Sequence, residues 1–210
     1  MILTLPDAAG LAAACAPAVA PETLLSIVQV ESRFNTLAIG VNGRSPRSVP
    51  ATSPEDATQK AAALIAAGES VDLGLAQINS RNLAPLGLTV AEAFDPCRNL
   101  AASARLLAGD YGRSSAPVVG PQVALRTTLS FYNTGTPGRG LTNGYVGKVA
   151  AAAAQIVPAL QALPSANDPA PVVGPSAPDK PAAALWDVFG QAGSAAFVIR
   201  ISSPVAGAKP

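Results

Sequence analysis

With no histidine in 210 residues, acid–base chemistry in this chain falls to carboxylates, Tyr or Lys. Serine–histidine and cysteine–histidine nucleophile systems are excluded, and so are most catalytic zinc sites. One carboxylate stands out by its position. Residues 21–35 read PETLLSIVQVESRFN. At about 100° per residue, Leu24, Leu25, Ile27, Val28 and Val30 spread over one broad helix side, while Glu22, Ser26, Gln29 and Arg33 gather on the other. Glu31 falls between Leu24 and Ile27, on the stripe that a core would claim. There the charged form loses hydration, so the pKa rises and the group can hold a proton near neutral pH, as a general acid must. The competing reading is a helix-end glutamate whose stem packs inward while its head reaches water.

The helix that would position Glu31 has a well-marked start, with Pro21 suited to the first turn and Glu22 matched to the dipole. Before it, residues 7–16 read as a short helix capped by Asp7 and ended by Pro17. After it, residues 37–41 alternate as a short strand and Asn42-Gly43 gives a turn. Residues 44–52, with two prolines, read as an exposed loop. Ser53-Pro54-Glu55-Asp56 enters an alanine-rich helix that stops at Gly68. Residues 71–79 (VDLGLAQIN) alternate as a second strand, forming with the first one lip of a groove. Thr89 to Glu92 is a capping box, and Asp95-Pro96 opens a helix through Leu107. Gly120-Pro121 starts another, with Val123, Ala124, Leu125, Leu129 and Tyr132 on its apolar side. A glycine-rich loop separates it from a last helix running from Tyr145 to about Leu163.

The composition, 49% hydrophobic with a net charge of +1, supplies one good core and no basic field that would recommend nucleic acid as a partner. No apolar run reaches the roughly 20 residues needed to span a bilayer, so an integral membrane protein is not expected. Nothing calls for a metal or a cofactor. Cys15 and Cys97 match no CxxC spacing. Either they are two buried thiols, or they pair and close a loop of roughly 80 residues, for which chain entropy allows about 4 kcal/mol. A disulfide would place the chain outside the cytosol. The apolar N-terminus lacks the basic residues of a signal peptide. From these boundaries the domain occupies residues 1–163. Residues 164–183, rich in Pro, Ala and Ser, read as an extended linker. Residues 184–210, with Trp186, Phe189 and Phe197, form a tail too short for a core of its own.

Taken together, CAP (15–17), VESRFN (30–35), AIGVN (38–42), GLAQIN (74–79), FDPCRNL (94–100) and FYNTG (131–135) resemble the signatures of the soluble-type lytic transglycosylases. The likeness is strongest to the specialised peptidoglycan transglycosylases of type IV secretion and conjugation systems, and it covers roughly residues 5–160. It implies an α+β, mostly α-helical, lysozyme-like fold with a small β ribbon beside a glycan-binding groove. It implies cleavage of the β-1,4 bond between N-acetylmuramic acid and N-acetylglucosamine with a 1,6-anhydro product. Glu31 matches the single catalytic glutamate of that family. There it protonates the glycosidic oxygen, then takes the proton of the muramic acid 6-hydroxyl as that oxygen closes on C1.

The resemblance further implies substrate-binding roles for Ser32, Gln77, Asn79, Tyr132, Asn133 and Tyr145. Ser32 can equally be a polar helix-end residue, and Tyr132 a core residue with a satisfied hydroxyl. Ala76 stands where many relatives carry methionine, and Phe131 and Thr134 replace alanines. Ordinary glycosidases need a second carboxylate about 5 to 9 Å from the first. Asp72 is the nearest candidate, and its reach is left open by the sequence. The expected setting is the periplasm, with peptidoglycan strands as substrate and secretion components met through the tail. The alternatives are a plain muramidase hydrolase and a glycan-binding scaffold.

Overall fold

The computed structural model describes residues 1–114 and 116–163. The linker and tail expected at 164–210 lie outside the described residues. Helix α1 (Leu5–Cys15) and helix α2 (Pro21–Glu31) are followed by strands β1 (Ile39–Val41) and β2 (Arg47–Ser48), helix α3 (Pro54–Ala66), and strands β3 (Val71–Leu73) and β4 (Ile78–Asn79). Then come the short α4 (Leu83–Leu86), the long α5 (Pro96–Arg113), the single turn α6 (Ala116–Val119), α7 (Pro121–Thr134), α8 (Arg139–Thr142) and α9 (Tyr145–Gln161). A mostly helical domain with a small sheet is the architecture that the resemblance implies.

Helix α2 is the centre of the core. Leu24, Leu25, Ile27 and Val28 are fully buried, and the helix packs along α9 and against α1 and α5. The polar side expected for α2 is only partly so. Thr23 and Ser26 are buried as well, because the Ser26 hydroxyl donates to the Glu22 carbonyl one turn back at 2.5 Å and needs no water. Helix α5, carrying Leu100 and Leu107 inward, supports α1 and α7.

Several boundaries differ from the sequence expectations. Helix α1 is capped by Thr4, whose hydroxyl oxygen accepts the Asp7 N–H at 3.3 Å. Asp7 instead lies in the first turn, which Pro6 tolerates. The N-terminal residues belong to the domain, since Ile2 bridges to Asn35 and the Leu3 N–H donates to the Phe34 carbonyl at 3.0 Å. The loop at 44–52 contains β2, an exposed edge strand built on backbone pairing of Gly40 with Ser48 and Val41 with Arg47. The alternating run 71–79 is two strands, not one. Leu75 and Ala76 are buried within a tight turn between them, and Gln77 adopts a positive φ of 51°. Helix α5 continues past Leu107 to Arg113, since Asp110 stays buried one turn further on. The glycine-rich loop holds the one-turn helix α8.

The four strands form an antiparallel sheet in the order β2-β1-β3-β4. Its turn is clamped from beneath by Asn99, a fully buried residue of α5. The Asn99 carboxamide oxygen accepts the Ala76 N–H at 2.8 Å, and its NH2 group donates to the carbonyls of Leu73 at 2.9 Å and Ala93 at 2.7 Å. Cys15 and Cys97 are joined in a disulfide with a Cα–Cα distance of 5.3 Å. It ties the end of α1 to the start of α5 and settles the two-thiol alternative.

Two stability outcomes are expected. Asn99→Ala strands three buried backbone groups, and its urea midpoint should correspond to a loss of about 3 kcal/mol or more. A Cys15→Ala/Cys97→Ala double variant should lose about 4 kcal/mol by the same measurement, since the bridge restrains a long loop in the unfolded chain.

Candidate active site

Glu31 is the last residue of α2, where the core helix reaches the surface. Ser32 caps the helix, its N–H donating to the Val28 carbonyl. The next two residues, Arg33 and Phe34, both take positive φ values, 51° and 64°. Such backbone costs of order 1–3 kcal/mol per residue without glycine. It is held by burial of the Phe34 ring, 8% exposed, and by the Leu3 and Asn35 N–H groups bonding to the Phe34 and Ser32 carbonyls. The chain therefore turns away abruptly and leaves the Glu31 side chain at a helix end without covering it. Ser32 has its hydroxyl directed back to the Val28 carbonyl at 3.4 Å.

The carboxyl of Glu31 is half-buried and accepts one hydrogen bond, from the Tyr145 hydroxyl to Oε1 at 2.5 Å. Burial pushes its pKa up to about 7, opposed by the Tyr145 bond and assisted by the negative charge of Asp72. The Tyr145 phenol is itself pushed well above its ordinary range by burial and by Glu31, so it stays a donor. With Oε1 occupied as acceptor, Oε2 is left to carry the proton. Tyr145 begins α9 after an Asx turn in which Asn143 Oδ1 accepts the Tyr145 N–H at 2.9 Å. The Asn143 NH2 in turn donates to Asn133 Oδ1 at 2.8 Å. Asn133 thus belongs to a chain of hydrogen bonds that ends on the acid.

The facing wall is the sheet. Register places Asp72 opposite Gly40 on one side and Asn79 on the other. The Asn42 and Asn79 carboxamides donate to its two oxygens, both at 2.7 Å. Burial nevertheless raises the Asp72 pKa, with those two bonds working against it. Asn79 also donates to Ser70 Oγ and accepts from the Arg81 N–H. The Gln77 NH2 donates to the carbonyls of Gly74 at 2.9 Å and Ala38 at 3.2 Å. Gly40 leaves room for this carboxamide, since a Cβ there would lie 2.8 Å from Gln77 Oε1 and the side chain would have to shift.

Tyr132 bridges the floor. Its hydroxyl donates to the Ala76 carbonyl at 2.7 Å, and having only one proton it accepts from Ser103 Oγ at 2.9 Å. Burial first, and then the charge of Glu31, raises its pKa far above the ordinary phenol range. Tyr132 therefore sits within the field of the acid, and Tyr145 is the tyrosine bonded to it.

These residues line a cleft of about 730 Å³ that contains Glu31, Asp72, Gln77, Asn79, Tyr132 and Asn133. A second depression of about 340 Å³ lies beside it, lined by Ser32 and sharing Glu31 and Gln77. The two depressions therefore adjoin at Glu31 and Gln77. Among the described residues, no group of acids and cysteines could hold a metal ion. Sequence reasoning missed Asn42, Asn143, Ser103 and Asp110. Asn143, two residues before Tyr145, carried an Asx-turn signal, whereas the partners of Asp72 and Tyr132 are set by tertiary contact. At the far wall, Arg113 donates to Asp110 and lies over the Phe131 ring at 4.4 Å from its centroid.

Comparison with known proteins agrees with this geometry. A family model described as "Transglycosylase SLT domain" matches residues 10–153. Protein virB1 of Agrobacterium fabrum is 42% identical over 178 residues, covering 84% of this chain and 67% of the relative. Protein virB1 of Rhizobium radiobacter is 44% identical over 146 residues, 70% of this chain and 60% of the relative. Type IV secretion system protein virB1 of Brucella suis is 40% identical over 168 residues, 74% of this chain and 70% of the relative. The chain therefore spans roughly two thirds of the length of these curated relatives. No solved structure matches the chain significantly. With the match running through the helix that ends in Glu31, the sheet wall and the start of α9, the chain belongs to the transglycosylase SLT domain family.

Proposed function

We propose that the chain is a lytic transglycosylase. It cleaves the β-1,4 bond between N-acetylmuramic acid and N-acetylglucosamine in peptidoglycan and opens the wall locally for assembly of a type IV secretion system. The observation that carries this reading is the carboxyl of Glu31, its pKa raised to about 7, where two adjoining depressions meet. The name of the Brucella suis relative supports the secretion setting, and the disulfide fits the oxidising periplasm.

In the proposed reaction, the proton on Glu31 passes to the glycosidic oxygen as the bond to C1 breaks, giving a free 4-hydroxyl on the leaving sugar. The resulting carboxylate, held by Tyr145, accepts the proton of the muramic acid 6-hydroxyl while that oxygen bonds to C1. The proton balance closes on one side chain, and water is not consumed. Asp72 is gripped at both oxygens, so its role is electrostatic, offsetting positive charge that develops at C1. The same residue favours the second reading, a muramidase hydrolase in which a carboxylate beside the ring supports attack by water. The products separate the two. Anhydro-muramic ends support the lyase and reducing muramic ends the hydrolase.

Three outcomes are expected. Digestion of purified sacculi by the chain should release anhydromuropeptides detectable by mass spectrometry, and Glu31→Gln should lower the rate at least about 100-fold. In a pH series, kcat/KM should fall about tenfold per unit above the Glu31 pKa of about 7, because the acid must start protonated. Folding stability should carry the same signature. A raised folded-state pKa means the folded chain binds the extra proton between pH 4.5 and about 7, so this contribution is present in full below 4.5 and lost as pH rises through 7. Over that window wild type should lose about 3 kcal/mol relative to Glu31→Gln, measured as the difference in urea unfolding at pH 4.5 and pH 8.

A further inference from the structure

The charged groups lining the cleft divide unequally. Its three acids are each engaged by the protein: Glu31 by Tyr145, Asp72 by Asn42 and Asn79, and Asp110 by Arg113. Of its three arginines, Arg113 is committed to Asp110 and to the Phe131 ring. The other two, Arg81 and Arg139, are exposed along the same cleft, and neither forms an ion pair among the described residues. Arg33, in the neighbouring depression, is likewise without an acidic partner there.

Both arginines have fixed backbones. The Arg81 N–H is held by Asn79 Oδ1 at 3.1 Å, in the turn that follows β4. Arg139 opens α8, which is seated on α7 by Gly140. The Gly140 N–H donates to Ser130 Oγ at 2.8 Å, and a Cβ on Gly140 would lie 2.6 Å from the Ser130 Cα. Two unpaired guanidinium groups are therefore presented from separate elements into one groove. The sugar hydroxyls and N-acetyl groups of a glycan strand are uncharged. A guanidinium fork matches a carboxylate, which it can bind with two parallel hydrogen bonds. In peptidoglycan the carboxylates left free are those of the short peptides attached to the muramic acid lactyl groups.

We propose that Arg81 and Arg139 bind the stem-peptide carboxylates, so that the cleft selects glycan whose stem peptides keep those carboxylates free. The inference rests on the peptidoglycan reading above. The test uses the full chain with Glu31→Gln, so that the ligand stays intact, titrated by calorimetry with peptide-bearing glycan oligomers of one length, their stem-peptide carboxyls either free or converted to amides. The oligomer with free carboxylates should bind about tenfold more tightly. The ratio should shrink with added salt and fall toward one when Arg81→Gln and Arg139→Gln are combined. An Arg81→Lys/Arg139→Lys pair, which keeps the charge and loses the fork, should retain part of it. Equal affinity for the two oligomers, or a ratio that the double glutamine variant leaves unmoved, would overturn the proposal while leaving the enzyme reading intact. Binding of neither oligomer would overturn both.

Discussion

The site depends on drawing a single carboxyl partly out of water at the point where the core helix emerges. Every residue of α2 from Thr23 to Val28 is buried, so the helix cannot shift without opening the core, and Glu31 inherits that rigidity. Its proton affinity is a product of position. Burial raises the pKa, the Tyr145 bond restrains the rise, and Asp72 adds to it. Burial and the neighbouring carboxylate prevail over a hydrogen bond that favours the charged form. The same bond fixes which oxygen is occupied, so the acid is both charged with its proton and aimed.

Around that point the supporting network is arranged in two arms. One runs from Asn133 through Asn143 and the first residue of α9 to Glu31. The other runs from Asn99 beneath the sheet turn to Ala76, and on through Tyr132 to Ser103. Both consist of polar groups satisfied inside the protein, which rigidify a site only when every member finds its partner. The carboxamides of Gln77 and Asn79 are spent in part on backbone and on Asp72, so they shape the wall as well as face the cleft.

How much of this could be read beforehand follows from the range of each interaction. Glu31 was legible because helical periodicity places it against Leu24 and Ile27, a local fact. The cysteines announced a pairing question but not its answer, since their proximity is set by the packing of α1 on α5. The strand expected over 71–79 failed at Leu75 and Ala76 because buried residues in a tight turn mimic alternation, and only the Asn99 clamp from a distant helix explains that turn. Tyr145 was named on resemblance alone. Its bond to a residue 114 positions earlier has no local trace. The polar side of α2 was misjudged at Ser26 because a hydroxyl bonded within its own helix is as easily buried as an alanine.

The hydrogen bond from Tyr132 to the Ala76 carbonyl joins the helical jaw to the sheet jaw at the base of the groove. Spreading the jaws would break this bond and leave a part-buried phenol and a carbonyl without each other, which opposes widening of the groove at its base. Its shape is then set before anything enters, and no ordering of the two walls has to be supplied by the ligand.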